Sequence, residues 1–260
     1  MRNTHHHTIQ RIPLRSKFFA LIIGTEILNR RRTDRHFDFV SQVLLEKGQK
    51  LTGSFIIEDD PALIIQTIQF IRSQPDAVLF SFGGIGSTPD DHTRQCAATA
   101  LEDGKLYPHD EAQKIISSRV DIEKYPHALN MGMLPKGAKL LANPVNKMPA
   151  FQLYDRYFFM PGFPEMSHPM VKDILSRYFQ ENTPLYRYTL TALCRESQLI
   201  PVMEQMPENV EFSSLPKLMS DGWQTTISVA SHDKIQAKSA FDLYITELEE
   251  KNIYYSLNND

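Results

Sequence analysis

The segment that most constrains the fold is an apolar run that leads directly into a glycine-rich, acidic loop. Asp76 to Phe82 (DAVLFSF) is predicted to be a strand, the loop GGIGSTPDD follows at Gly83–Asp91, and a helix is predicted from about His92. Glycines allow backbone conformations and close approaches that a Cβ prevents. Because amides between a strand and the start of a helix can face a phosphate, the loop predicts an anion-binding site.

Two strand–helix pairs precede this loop. The apolar run Phe18–Ile23 is typical of a buried parallel strand, and an amphipathic helix is predicted over residues 35–47. Residues 49–57 form a second predicted strand, and Asp59-Asp60-Pro61 begins the next helix with an acidic cap before proline. This alternation predicts a doubly wound α/β fold with a mostly parallel sheet, whose ligand-binding loops lie at the carboxyl edge.

Three loops are expected at that edge, and all carry carboxylates: Gly24–Arg32, Glu58–Asp60 and Gly83–Asp91. Asp90 and Asp91 would repel a phosphate if they acted alone, so a bridging divalent cation such as Mg²⁺ is predicted. The loop matches neither the P-loop nor the dinucleotide-binding fingerprint. As a bare pattern it is also compatible with a simple turn or helix cap.

The second half of the chain predicts shorter elements. Strands are expected at residues 138–141, 150–154 and 157–160, a helix at about 165–179, a boundary at 182–184, and then a strand at 225–229 and a helix at 233–251. The predicted organisation is a flexible tail at residues 1–17, the α/β domain at 18–182 and a small α+β appendage at 183–260. The aromatic residues of this half are interpreted as core: Tyr154, Tyr157, Phe158, Phe159 and Trp223.

Composition narrows the class of protein. A formal net charge of −3 over 260 residues gives no indication of a nucleic-acid partner, and the apolar runs are too short to cross a membrane. Cys96 and Cys194 form no CxxC pair, so a reducing, cytoplasmic location is expected, and Cys96 is interpreted as a small buried side chain. The His5–His7 run is interpreted as part of a frayed tail rather than a metal site.

Five ordered segments resemble the molybdopterin-binding domain family of molybdenum-cofactor biosynthesis proteins. The resemblance is strongest to the N-terminal domain of competence/damage-inducible protein A and its stand-alone relatives. It covers about residues 18 to 180. The segments are IIGTEIL (22–28), IEDDPALI (57–64), GGIGSTPDDHTRQ (83–95), MLPKGAKLLANPV (133–145) and FMPGFPEM (159–166).

The resemblance implies that the glycine–aspartate loop holds a phosphate group and a divalent cation (Mg²⁺, Mn²⁺ or Co²⁺), with molybdopterin as a possible ligand. Asp91 and Asp90 are carried over as catalytic residues, and Asp59 and Asp91 as metal ligands. The ligand-binding residues carried over are Gly83, Gly84, Gly86, Ser87, Thr88, Glu26, Asn143, Pro144 and Pro149. Homo-oligomers are also implied. The chain departs from the usual family pattern at Ser87 and in NPVNKMPAF, which leaves the substrate open.

Several of these residues have a second interpretation. Asp90, Asp91 and Asp59 could instead cap helices, and Glu26 could be a solvated loop charge. The Arg30–Arg32 run is interpreted as solvated, with phosphate steering as the alternative. His92 is interpreted as a first-turn residue without a chemical role, with a general acid as the alternative.

Three functions are compatible with the sequence. The favoured one is metal-dependent hydrolysis of a phosphoanhydride in a substrate such as ADP-ribose or FAD. The alternatives are a binding module for a pterin or nucleotide without turnover, and adenylyl transfer in molybdenum-cofactor biosynthesis. A protein that keeps the fold but has lost the site is disfavoured by the acids and glycines of the loop.

Overall fold

The computed structural model describes residues 16–178, 184–220 and 222–258. The chain divides into two compact units, residues 1–181 and 182–260. The His5–His7 run and most of the predicted 182–184 boundary lie outside the described residues. Lys17, which was expected to belong to the tail, is the first residue of a strand.

A six-stranded sheet forms the centre of the first unit, in the order β2-β1-β3-β8-β7-β6. The four strands β2, β1, β3 and β8 are parallel, whereas β7 and β6 continue the sheet in antiparallel fashion. The strands are β1 Lys17–Ile23, β2 Leu51–Ile57, β3 Ala77–Phe82, β6 Lys139–Leu141, β7 Ala150–Leu153 and β8 Tyr157–Met160, and a separate pair consists of β4 Leu106–Pro108 and β5 Met133–Pro135.

Helices cover this sheet, so that every residue of β3 is buried. Helix α2 packs with α6, and α3 packs with α4. Their bounds are α1 Thr25–Leu28, α2 His36–Leu45, α3 Pro61–Ser73, α4 Thr93–Leu101, α5 Asp110–Ser117 and α6 Pro164–Tyr178, with a 3-10 helix at Pro126–Gly132. The mostly parallel sheet confirms the predicted α/β fold.

The strand register brings the carboxyl ends of the four parallel strands together. Ile23 pairs with Ile57, Ile22 with Phe82, and Phe82 with Met160. One residue further along, Gly24 N donates to Ile57 O (3.1 Å) and Gly83 N donates to Met160 O (3.0 Å). The loops that follow β1, β2, β3 and β8 therefore lie side by side, as expected for a doubly wound α/β fold.

The second unit is a four-stranded antiparallel sheet, in the order β10-β11-β9-β12, with one long helix. Its elements are β9 Tyr186–Ala192, a 3-10 helix at Glu196–Leu199, α7 Ile200–Met203, β10 Glu211–Met219, β11 Gly222–Ser231, α8 Lys234–Glu250 and β12 Tyr255–Asn258. Tyr188 stacks on Phe241 of α8, with 5.5 Å between ring centroids, within a core of its own.

The aromatic residues divide between core and surface. Tyr157, Phe158 and Phe159 are buried in β8, as predicted. Tyr154 is 55% exposed, because it lies with a positive φ in the tight turn between β7 and β8, and Trp223 at the start of β11 is 38% exposed. The interpretation of these last two as core residues is therefore wrong. Both cysteines are free and buried, and burial raises the pKa of Cys96 to about 11.

Removal of a central aromatic ring should destabilise the first unit strongly. Phe80 has no exposed surface, and its ring centroid lies 6.1 Å from that of Phe18 and 5.7 Å from that of Phe158. We expect Phe80→Ala to lower the free energy of unfolding by about 3–5 kcal/mol, measured by urea denaturation. Phe37→Ala, on the exposed side of α2, is the control and should change it by no more than about 0.5 kcal/mol. Equal losses in the two variants would contradict the packing described.

Candidate functional site: a cavity at the carboxyl edge of the sheet

The loops after the parallel strands enclose a cavity of about 520 Å³. Most residues predicted to form the site line it: Glu26, Asp59, Gly83, Gly84, Gly86, Ser87, Thr88, Asp90, Asp91 and Pro149. Residues that sequence reasoning did not assign also line it, among them Arg32, His36, Met131, Asn146, Met148, Phe163 and Met166. The lining therefore combines the glycine loop and several carboxylates with methionine and phenylalanine side chains.

Asp91 holds the glycine loop in shape. Its Oδ1 accepts a hydrogen bond from the amide of Gly86 (2.8 Å), and its Oδ2 accepts from the amide of Thr88 (2.8 Å) and from the Thr88 hydroxyl (2.5 Å). The Asp91 amide in turn donates to Thr88 O (3.0 Å). Both oxygens of this carboxylate are thus occupied by donors of its own loop.

Other amides of the loop remain available. Among the described residues, the backbone N–H groups of Gly84, Ile85 and Ser87 have no hydrogen-bond acceptor. They lie between the end of β3 and the first turn of α4, where helix geometry also leaves amides unbonded. Amides in this position are well suited to bind an anion.

Glycine is required in this loop by close contacts and by backbone conformation. Gly83 has φ +103° and Gly84 has φ +67°. A Cβ on Gly83 would lie 2.4 Å from the carbonyl oxygen of Ile23, and one on Gly84 would lie 2.2 Å from Oγ1 of Thr93. The loop therefore packs directly on the end of β1 and the start of α4, because no side chain separates them.

The acids of the other two loops are also engaged. Oδ2 of Asp59 accepts from the amide and the hydroxyl of Thr25, both at 2.8 Å. Glu26 forms an ion pair with Arg32 (3.8 Å), and Nη2 of Arg32 donates to Gly162 O (2.9 Å). Arg32 is therefore part of the cavity wall, and the interpretation of the whole arginine run as solvated is wrong at this position.

The capping alternatives are resolved by the helix starts. Asp60 is the N-cap of α3, and its Oδ1 accepts from the amide of Leu63 (2.7 Å). The N-cap of α4 is His92, which makes no side-chain capping bond, so neither Asp90 nor Asp91 caps that helix.

Two residues carried over from the family resemblance lie outside the cavity lining. Asn143 is buried, but its amide group organises its own turn, since Nδ2 donates to Asn146 Oδ1 (2.7 Å) and Oδ1 accepts from the amide of Val145 (3.0 Å). Pro144 is exposed and is likewise absent from the lining. In this stretch of the chain, the residues that line the cavity are Asn146, Met148 and Pro149, of which Pro149 was predicted.

The arrangement of the acids does not fit a preformed site for a divalent cation. Within residues 16–178, 184–220 and 222–258, no group of three or more His, Cys, Asp or Glu side chains is placed to hold a metal ion. Asp59 and Asp91, the predicted ligands, instead accept hydrogen bonds from Thr25 and from the loop amides. The cation remains a prediction from the sequence.

A pair of histidines adjoins the cavity: His36 lines it, and His168 packs against His36. The His36 ring stacks on Phe82 (4.2 Å between centroids), meets the His168 ring edge-on (5.3 Å), and its Nε2 lies 3.3 Å from Gly162 O. Burial lowers the pKa of His36, and burial together with His36 and Arg35 lowers the pKa of His168 to about 4.

This histidine pair should make the fold sensitive to acid. The pKa of His168 is about 4 in the folded chain and 6.5 in the unfolded chain, so protonation favours unfolding. The folded state keeps its full stability with respect to His168 above pH 6.5. As the pH falls toward 4, it loses about 1–3 kcal/mol of unfolding free energy. We expect His168→Phe to flatten the dependence of melting temperature on pH in this window, and exposed His127→Phe to leave it unchanged. An unaltered slope in His168→Phe would contradict this assignment.

A second prediction separates backbone strain from collision in the glycine loop. Gly84 and Gly137 both have positive φ, but a Cβ on Gly137 would meet nothing within 4 Å. We expect Gly137→Ala to cost about 1 kcal/mol of unfolding free energy through strain alone. Gly84→Ala should cost about 1–3 kcal/mol more, because of the collision with Thr93. Equal losses in urea denaturation would show that the contact with Thr93 is not tight.

Comparison with known proteins places this cavity in a family. The family described as "Probable molybdopterin binding domain" matches residues 19–181. A "Putative competence-damage inducible protein" of Bacillus pumilus is 25% identical over 225 residues, which cover 82% of this chain and 53% of the relative. A "CinA-like protein" of Citrifermentans bemidjiense is 30% identical over 165 residues, or 60% of this chain and 39% of the relative. This chain thus spans about half, or less, of the length of these relatives.

A solved structure shares the fold of the first unit. The protein CinA of Thermoplasma acidophilum, whose function is described as unknown, superposes with a TM-score of 0.56 at 23% identity over 63% of this chain and 99% of that one. The family match covers every loop of the cavity and all of the sheet except the first two residues of β1. This chain therefore belongs to the family described as "Probable molybdopterin binding domain", and it is similar to competence-damage inducible and CinA-like proteins.

Proposed function

We propose that the cavity binds a small ligand that combines a phosphate group with a flat ring, of the pterin or nucleotide class. The observation that carries the proposal is that the loop with unbonded amides and a set of methionine and phenylalanine side chains line the same cavity. The family relation supports the same ligand class.

The phosphate is assigned to the glycine loop. The amides of Gly84, Ile85 and Ser87 have no acceptor among the described residues, and the Ser87 hydroxyl lies on the cavity lining beside them. The first turn of α4 adds a favourable dipole for an anion. Because the Asp91 carboxylate already accepts from two amides, its charge is partly compensated within the loop before a phosphate arrives.

The flat ring of the ligand is assigned to the methionine-rich part of the lining. Met131, Met148 and Met166 line it, and thioether side chains adapt to flat ligands of differing shape. Phe163 is 56% exposed at this wall, and the Arg32 guanidinium lies 5.2 Å from its ring centroid. A ring placed here would contact both an aromatic face and a delocalised cation.

Metal-dependent hydrolysis of a phosphoanhydride is the second candidate. Its specific support is that the carboxylates of Glu26, Asp59, Asp90 and Asp91 line one cavity. Since Asp59 and Asp91 accept hydrogen bonds from the protein, a cation would have to compete with those donors. Binding without turnover is therefore the function that this geometry favours. Adenylyl transfer is a third candidate function for the same cavity.

Two further features of this proposal concern the whole protein. Assembly into a homo-oligomer is a prediction that light scattering tests directly. A cytoplasmic location is likewise a prediction; in the described part of the chain, no helix has the length and apolarity that a membrane span requires.

The loop carboxylate provides the direct test of ligand binding. We expect wild-type protein to bind FAD and ADP-ribose in calorimetric titrations. Asp91→Ala, which leaves the amides of Gly86 and Thr88 without their acceptor, should weaken binding at least about tenfold. Asp103→Ala is the matched control, because Asp103 is exposed and bonds Lys105 and Tyr107 outside the cavity. Unchanged affinity in Asp91→Ala would contradict the proposal.

The same proteins separate binding from turnover. Each is incubated with ADP-ribose or FAD and Mg²⁺, Mn²⁺ or Co²⁺, and AMP is measured by chromatography. Binding without AMP release supports the binding module, whereas release of AMP that Asp91→Ala abolishes would establish hydrolysis.

A further inference from the structure

A buried arginine lies directly beneath the glycine loop. Arg94 is the second residue of α4 and only 6% exposed, and its Nη1 donates to the carbonyl oxygens of both Ile85 and Gly86. These carbonyls belong to the same stretch of backbone as the unbonded amides of Gly84, Ile85 and Ser87. By holding the carbonyls on the inner side, the guanidinium leaves those amides for the cavity side.

The charge of Arg94 has no direct partner. Among the ion pairs within 4.0 Å that the described residues form, none includes Arg94, and its buried Nε has no hydrogen-bond partner. Asp91, whose charge acts on Arg94, already accepts from loop amides with both oxygens. A buried cation without a paired anion is costly, so its retention calls for a compensating charge.

The position on the helix makes this cost larger. Arg94 lies in the first turn of α4, where the helix dipole already favours negative charge, and that turn contains no acidic residue. Burial accordingly lowers the pKa of Arg94, and Asp91 offsets this only in part. Helix, amides and guanidinium therefore all favour an anion at one point of the loop.

We propose that Arg94 is the positioning residue of the anion site: it orients the loop amides through the carbonyls of Ile85 and Gly86, and its charge is balanced by the phosphate of the bound ligand. This inference rests on the proposed function of the cavity. Because the Ile85 and Gly86 carbonyls accept from Arg94, the guanidinium acts from behind the loop rather than as a direct ligand contact.

The inference makes a specific prediction for ligands with and without phosphate. Arg94→Gln keeps an N–H donor but removes the charge, and it should raise the Kd for FAD and for inorganic pyrophosphate at least about tenfold. The Kd for riboflavin, which has the ring without the phosphate, should stay within about twofold. Arg94→Lys keeps the charge but loses the planar guanidinium, so its Kd for FAD should lie between those of the wild type and Arg94→Gln. A merely structural role would weaken riboflavin and FAD alike.

Chemical rescue provides a readout that does not depend on the stability of one variant. In Arg94→Ala, millimolar guanidinium should restore FAD affinity, whereas urea, which is of similar shape but neutral, should not. If Arg94→Gln binds pyrophosphate as tightly as wild type, or if the FAD-to-riboflavin affinity ratio is unchanged in every Arg94 variant, the inference is overturned. Failure of the wild-type protein to bind any phosphate-bearing probe would instead remove the proposed function, and the inference with it.

Discussion

The hydrogen bonds from the Gly86 and Thr88 amides to the Asp91 carboxylate are the interaction on which the site depends. They close the loop between β3 and α4 on itself and compensate the charge of an acid that would otherwise oppose an anion. With those amides occupied, the N–H groups of Gly84, Ile85 and Ser87 still have no acceptor among the described residues. One carboxylate thus determines both the shape of the loop and which amides it offers.

The closed loop is held against the sheet by backbone contacts rather than by side chains. Gly83 approaches the Ile23 carbonyl and Gly84 approaches Thr93, whose hydroxyl donates to Gly83 O (2.9 Å). Thr93 and the ends of β1 and β3 are fully or almost fully buried, so the loop inherits the rigidity of the core. The precision of the site is therefore a property of the close-packed sheet, which tolerates little displacement.

Sequence reasoning predicted most of the residues that line the cavity, but not the hydrogen bonds among them. Apolar runs and glycines are local signals, so three of the parallel strands, and the meeting of their loops at one edge of the sheet, could be predicted from them. Asp59 bonds Thr25 and Arg32 bonds Gly162, and both pairs are far apart in sequence. No periodic pattern in the sequence predicts such pairs. Asn143 was assigned to the ligand by resemblance, yet its amide is satisfied by its own turn.

The engagement of Asp91 also bears on how a cation and the loop would interact. A cation that took both oxygens of Asp91 would release the amides of Gly86 and Thr88, and each buried amide left unpaired costs about 1–3 kcal/mol. Thr88 is exposed, so water can accept the hydrogen bond of its amide. Gly86 is half-buried, so its amide needs another acceptor. A phosphate could supply that acceptor. We therefore expect that, if this loop binds both a cation and an anion, the two binding events are coupled through the same hydrogen bonds.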